Sequence, residues 1–177
     1  ALPGDEDPQI HSFYGNTGVC LRALSYILRN GGDGLTRVTE AAVLNANYLL
    51  ARLRGILPVP NDSGCMHEFV ASGSSWKEKF GVRTLDLAKR LLDYGVHAPT
   101  IYFPLIVDEA VMVEPTETET KESLDDFVEV IETIHREAEA DPQLLLDAPH
   151  TTPVGRMDEA KAARQPDLRW LGPCNCG

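Results

Sequence analysis

Apolar residues recur along the chain in two rhythms, three- and four-residue steps that mark helices and short β-rich runs that mark strands. From Thr17, the positions Val19, Ala23, Leu24, Ile27 and Leu28 form a helical stripe; Asn16 or Thr17 caps its first turn, and Gly31 with Gly32 closes it. A second helix is predicted from Leu35 to Arg54 on Leu35, Val38, Ala42, Leu49 and Leu53, ended by Gly55, and the two stripes are expected to pack as a hairpin. After a turn-rich run containing Pro58, Pro60 and Gly64, residues Cys65 to Ser72 read as a strand, followed by a polar loop through Trp76. Thr84 is the expected cap of a helix with Leu85, Leu87, Ala88, Leu91 and Leu92 on its apolar face and Gly95 at its end. Two further strands are predicted at Thr100 to Phe103 and Val111 to Glu114. The last strong helix starts near Thr120, carries Leu124, Phe127, Val128, Ile131 and Ile134, and stops before Pro142.

The order of two helices, strand, helix, two strands and helix suits an α+β fold in which helices cover one face of a three-stranded antiparallel sheet. The expected division is a linker over 1–10, a helical hairpin over 11–56, an α+β domain over 57–146 and an extended tail over 147–177. The acidic, Pro-containing start has no apolar period, which is why it reads as a linker.

Charge narrows the possible partners. The 177 residues carry a formal charge of −11 with no basic run, so a phosphate backbone would be repelled and nucleic acid is excluded as a partner. A 43% hydrophobic and 24% charged composition is that of an ordinary globular chain. No stretch approaches the roughly 20 apolar residues of a membrane span, no membrane partner is expected, and the start is too acidic for a signal peptide, so a cytoplasmic location is expected. Four unevenly spaced cysteines argue against a disulfide framework; Cys174 and Cys176 read as free thiols of a frayed end, since two thiolates alone do not complete a structural zinc site. No metal is expected.

Several separated blocks carry a resemblance: 12–16 (Ser-Phe-Tyr-Gly-Asn), 42–49 (Ala-Val-Leu-Asn-Ala-Asn-Tyr-Leu), 65–70 (Cys-Met-His-Glu-Phe-Val), 81–95, 99–104 (Pro-Thr-Ile-Tyr-Phe-Pro) and 114–119 (Glu-Pro-Thr-Glu-Thr-Glu). In this order they resemble the C-terminal region of the glycine decarboxylase P-protein, a fold-type-I pyridoxal-phosphate (PLP) enzyme of the glycine cleavage system. The resemblance implies a small C-terminal domain that closes over a cofactor-bearing large domain. It also implies that the intact enzyme decarboxylates glycine on PLP and passes the aminomethyl group to the lipoyl arm of the H-protein.

Such chemistry needs a lysine to hold PLP. The resemblance places that lysine after a histidine in a block preceding the matched region, and no His-Lys pair occurs here. Lys77, Lys79, Lys89, Lys121 and Lys161 sit in helical or loop contexts instead, so no catalytic residue and no bound PLP are expected on this chain alone. Ser74-Ser75-Trp76-Lys77 matches a Ser-x-x-Lys pattern without its companion motifs and is read as coincidence.

The expected contribution is polar side chains at the domain cleft. His11, Tyr14 and Asn16 lie where the linker meets the first helix and could face an anion, although an Asn cap on an ordinary helix is the plainer reading. His67, beside Glu68, is expected mid-strand with the two on opposite faces, where a satisfied core histidine is the plainer reading. Arg83 and Thr84 open a helix, where an arginine can hold a substrate carboxylate. Glu114, Thr116 and Glu117 form a polar turn, read either as capping before the last helix or as the lining of the lipoyl-arm path. Expected partners are the large-domain portion or partner subunit, the lipoylated H-protein, glycine, and copies of the chain or a second polypeptide. The rival is a stand-alone interaction or ligand-binding module.

Overall fold

A computed structural model describes residues 15–61 and 63–168. The linker positions, His11, Tyr14, Cys174 and Cys176 lie outside the described residues. The chain divides into two units, 1–41 and 42–177.

In the first unit, the Asn16 side chain accepts from Val19 N at 3.1 Å and so caps helix α1, Thr17–Leu53, as one of the two expected residues. α1 breaks where the two-glycine signal put the break, at Gly31, whose backbone (φ 64°, ψ −177°) is one that residues with a Cβ rarely adopt. Helical geometry resumes at once rather than at Leu35, and α1 continues into the second unit. The expected packing of the first stripe is corrected: Val19, Leu24, Ile27 and Leu28 are 50–73% exposed and thus bury no core face.

In the second unit, Leu49, Leu50 and Leu53 of α1 enter the core with Leu57. The sheet has the order β1-β3-β2 with both pairings antiparallel: β1 is Phe69–Ser72, β2 is Thr100–Ile101 and β3 is Ala110–Val113. Phe69 faces Val113 and Ala71 faces Val111, so the alternating inward side chains of both strands meet on one face. Helix α4, Lys121–Ala140, covers that face with Leu124, Val128, Ile131, Ile134 and Ala138. The α+β class and the three-stranded antiparallel sheet thus agree with the sequence reading.

The strands are shorter than expected, and β1 begins at Phe69 rather than Cys65. The reason is local: the Asn47 carboxamide accepts from Cys65 N at 3.1 Å and donates to Cys65 O at 2.7 Å, using up the groups a ladder would need.

The polar loop through Trp76 is corrected to a helix, α2, Ser74–Phe80. Trp76 and Phe80, one turn apart, give it an apolar edge, and Gly81 ends it with φ 73°. Gly73 precedes it because a Cβ there would meet Thr84 Oγ1 at 2.6 Å. Helix α3 is Thr84–Asp93, and its cap is Arg83 rather than Thr84, with the Asp86 carboxylate accepting from Arg83 N at 2.8 Å. At the other end Gly95 N reaches Leu92 O and Val96 N reaches Leu91 O, a Schellman closure with Gly95 at φ 72°.

Thr120 caps α4 by accepting from Ser123 N. Pro142, read as a stop, is also a start: Asp141 caps a short α5, Pro142–Leu146, with the proline in its first turn. The beginning of the tail is not extended. Ala148 and Pro149 are buried, the Asp93 carboxylate accepts from His150 N and Thr151 N, and Arg156 pairs with Asp86 at 2.7 Å. An exposed α6, Glu159–Arg164, follows.

Candidate functional site

Because β1 starts opposite the end of β3, the residues just before one strand lie beside those just after the other. This brings His67, Glu68 and Glu114 together. His67 Nε2 is 3.8 Å from a Glu114 carboxylate oxygen and 4.0 Å from one of Glu68. The expected mid-strand placement on opposite faces is corrected: both residues precede β1, and His67 is exposed rather than core. One imidazole nitrogen and two carboxylate oxygens lie within 4.8 Å of one another, on exposed or half-buried side chains of a kind that commonly cluster without a metal.

Beyond Glu114 the chain turns on the buried Pro115. Asn45 of α1 holds the turn by donating to Thr116 O at 2.9 Å and Glu119 O at 3.3 Å, and the hydroxyls of Thr116 and Thr118 meet at 2.6 Å. Thr116 is exposed and Glu117 half-buried.

Glu114 also lines a groove of about 730 Å³ between the loop after α3, the end of β3 and the first half of α4. Val96, Met112, Phe127 and Val130 line it with apolar surface, and Glu119 and Asp126 bring two more carboxylates to it. His97 and Thr100 line it as well, and neither was singled out from the sequence.

Arg83 and Thr84 belong to a different constellation, centred on Glu109. Glu109 is buried with φ 48°, a backbone region that a glutamate seldom occupies. Its carboxylate accepts from Thr84 N at 3.0 Å and meets Lys77 Nζ at 2.9 Å and Arg83 Nε at 3.5 Å. Its carbonyl accepts from Gly73 N and from Thr84 Oγ1, both at 2.8 Å. Burial pushes the Glu109 carboxyl upward, but the Thr84 amide and the two cations outweigh it and hold the group below the usual carboxylate range. Glu109 therefore supplies, from within the chain, the anion that the start of α3 attracts. Arg83 stays exposed, its guanidinium carbon 5.8 Å from the Tyr102 ring centroid. Glu109 was not singled out from the sequence, where an Asp-Glu pair before an apolar strand reads as ordinary loop.

Ser74 and Lys77 do not form a catalytic pair. Ser74 Oγ bonds to the Asp108 carbonyl and carboxylate at 3.2 and 3.1 Å, while Lys77 sits on Glu109. Asn16 lies in the first unit, its side-chain oxygen spent on the helix cap.

Residues 38–150 match the family model described as glycine dehydrogenase, C-terminal domain. A relative from Kosmotoga olearia, named probable glycine dehydrogenase (decarboxylating) subunit 2, is 56% identical over 92% of this chain and 34% of its own length. Proteins of the same name from Caldanaerobacter subterraneus and Exiguobacterium sibiricum are 60% and 59% identical, each over 92% of this chain and 33% of their own length. The chain thus spans about a third of the length of the curated relatives it matches. Model match and identities agree, and the chain belongs to the glycine dehydrogenase C-terminal domain family.

Proposed function

We propose that this chain is the C-terminal portion of a PLP-dependent glycine decarboxylase that passes the aminomethyl group to the lipoyl arm of an H-protein, and that the cofactor is held by the remainder of the enzyme. The observation that carries this is the apolar face of α1 in the first unit. Val19, Leu21, Leu24, Tyr26, Ile27 and Leu28 are all exposed, a run of large apolar side chains suited to being covered by another part of an assembly. The relatives' greater length supplies that part, and their designation as subunit 2 supports a partner subunit as well.

PLP supplies an electron sink for the carbanion left by decarboxylation. The described residues do not fit it. A lysine that holds PLP needs a readily neutralised amine, whereas Lys77 on Glu109 and Lys121 on Asp125 are hydrogen-bonded to carboxylates that raise their pKa values. Lys79 and Lys161 are exposed helical residues, and Lys89 is half-buried on α3. No step through the cofactor is therefore assigned to this chain.

Its assigned part is to close the cleft. His67, Glu114, Thr116 and Glu117 offer a polar edge to the reacting groups, and Arg83, oriented by Glu109 and Tyr102, offers a cation for the glycine carboxylate. A cytoplasmic setting accords with the unpaired thiols Cys20 and Cys65.

Treating the chain with PLP and then borohydride, which fixes the cofactor to the lysine holding it, tests the division of labour. Mass spectrometry is expected to find no stoichiometric adduct on this chain alone, and one adduct on the remaining portion when both are present. A saturable, one-to-one adduct on any lysine of this chain would overturn the assignment.

A further inference from the structure

The groove beside Glu114 combines two properties that together select one kind of ligand. Its volume, about 730 Å³, lies in the range of small-molecule sites, and Val96, Met112, Phe127 and Val130 give it an apolar lining. Three carboxylates, Glu114, Glu119 and Asp126, border it, and no Lys or Arg is among its lining residues. Glu119 accepts from Ser123 Oγ at 2.7 Å and Glu114 has the nearby His67 at 3.8 Å, whereas Asp126 is exposed to solvent.

An apolar surface attracts methylene groups, and a rim of carboxylates without a balancing cation attracts a positive charge while repelling a negative one. An acid-ended or neutral alkyl chain satisfies only the first condition, and a small cation only the second. We infer that this groove is a binding site for a primary alkylamine, its aliphatic chain lying along Val96, Met112 and Phe127 and its ammonium group among Glu114, Glu119 and Asp126. The site is formed entirely within residues 42–177, so it can be read on this chain whether or not the catalytic assignment above is correct.

Isothermal titration calorimetry of the 177-residue chain with n-hexylamine, methylamine, n-hexanol and hexanoate separates the possibilities. Hexylamine is expected to bind saturably at one site. Methylamine should bind at least about tenfold more weakly, because each buried methylene contributes a factor of roughly four. Hexanoate should show no binding, and hexanol should bind about threefold or more weakly than hexylamine, the scale of an exposed ion pair. D126N, at an exposed position on α4 where folding is not at risk, should weaken hexylamine by about threefold and leave hexanol unchanged. E114Q should do the same. Equal binding of hexanoate and hexylamine, absence of saturable hexylamine binding, or hexylamine affinity unchanged in both variants would each overturn the inference.

Discussion

Trp76→Ala is expected to destabilise the folded chain by about 3–5 kcal/mol, the cost of emptying a large buried aromatic site. Trp76 is 2% exposed, its indole N–H donates to Ile56 O at 3.1 Å, and its ring lies 5.0 Å from that of His135. With Phe80 it holds α2 against the core, so its loss should also release Lys77 from Glu109. Urea unfolding followed by far-UV circular dichroism measures the difference. Trp76→Phe should recover most of it by restoring the aromatic volume without the indole donor. A loss below about 1 kcal/mol for the alanine variant would mean that α2 is not held through this residue.

Arg90→Ala is expected to cost about 3 kcal/mol, in the lower part of what breaking a buried ion pair costs. The Arg90 guanidinium takes Glu137 through two nitrogens at 2.8 and 2.9 Å and Asp93 through a third at 2.9 Å. Its side chain is 12% exposed and that of Asp93 only 2%, so alanine leaves two carboxylates facing each other with little water between them. Arg90→Lys should recover only part of the loss, because an ammonium cannot reproduce the paired contact.

The pH dependence follows with a definite sign. Hydrogen bonds from Arg90 hold the Glu137 carboxyl below its ordinary value. Burial pushes Asp93 up, but the amides of Thr151 and His150 together with Arg90 bring it below. Depressed folded-state values mean that this stabilisation is fully present above the ordinary carboxylate pKa and is lost as pH falls through the lower folded values. The gap between native chain and Arg90→Ala should therefore narrow below about pH 4, measured as unfolding midpoints across an acid series.

What the sequence made legible depended on whether local signals agreed with long-range packing. The stripe on α4, the Gly95 closure and the Gly31 break were readable because period and punctuation sit within a few residues of one another. α2 was not, since Trp76 and Phe80 are its only large apolar residues and its remaining positions are polar or charged. β1 was overextended because what ends it is Asn47, eighteen residues earlier, clamping Cys65. The same holds for the site. Glu114 and His67 stood out as polar residues, but their convergence depends on the pairing of β1 with β3. Glu109 gained its role only from the approach of Lys77, Arg83 and Thr84, which no spacing encodes.

The proposed completion by this chain of a glycine decarboxylase whose cofactor lies elsewhere is tested most directly by exchange of labelled bicarbonate into glycine. The chain alone with PLP should give no exchange, the remaining portion of the enzyme alone should give little, and the two mixed with H-protein should restore it. The double variant Leu24→Asp/Ile27→Asp, charged on the exposed face of α1, should prevent that restoration while leaving the fold of residues 42–177 intact. Exchange by the chain alone, or none from a well-folded stoichiometric complex, would rule out this division of the enzyme.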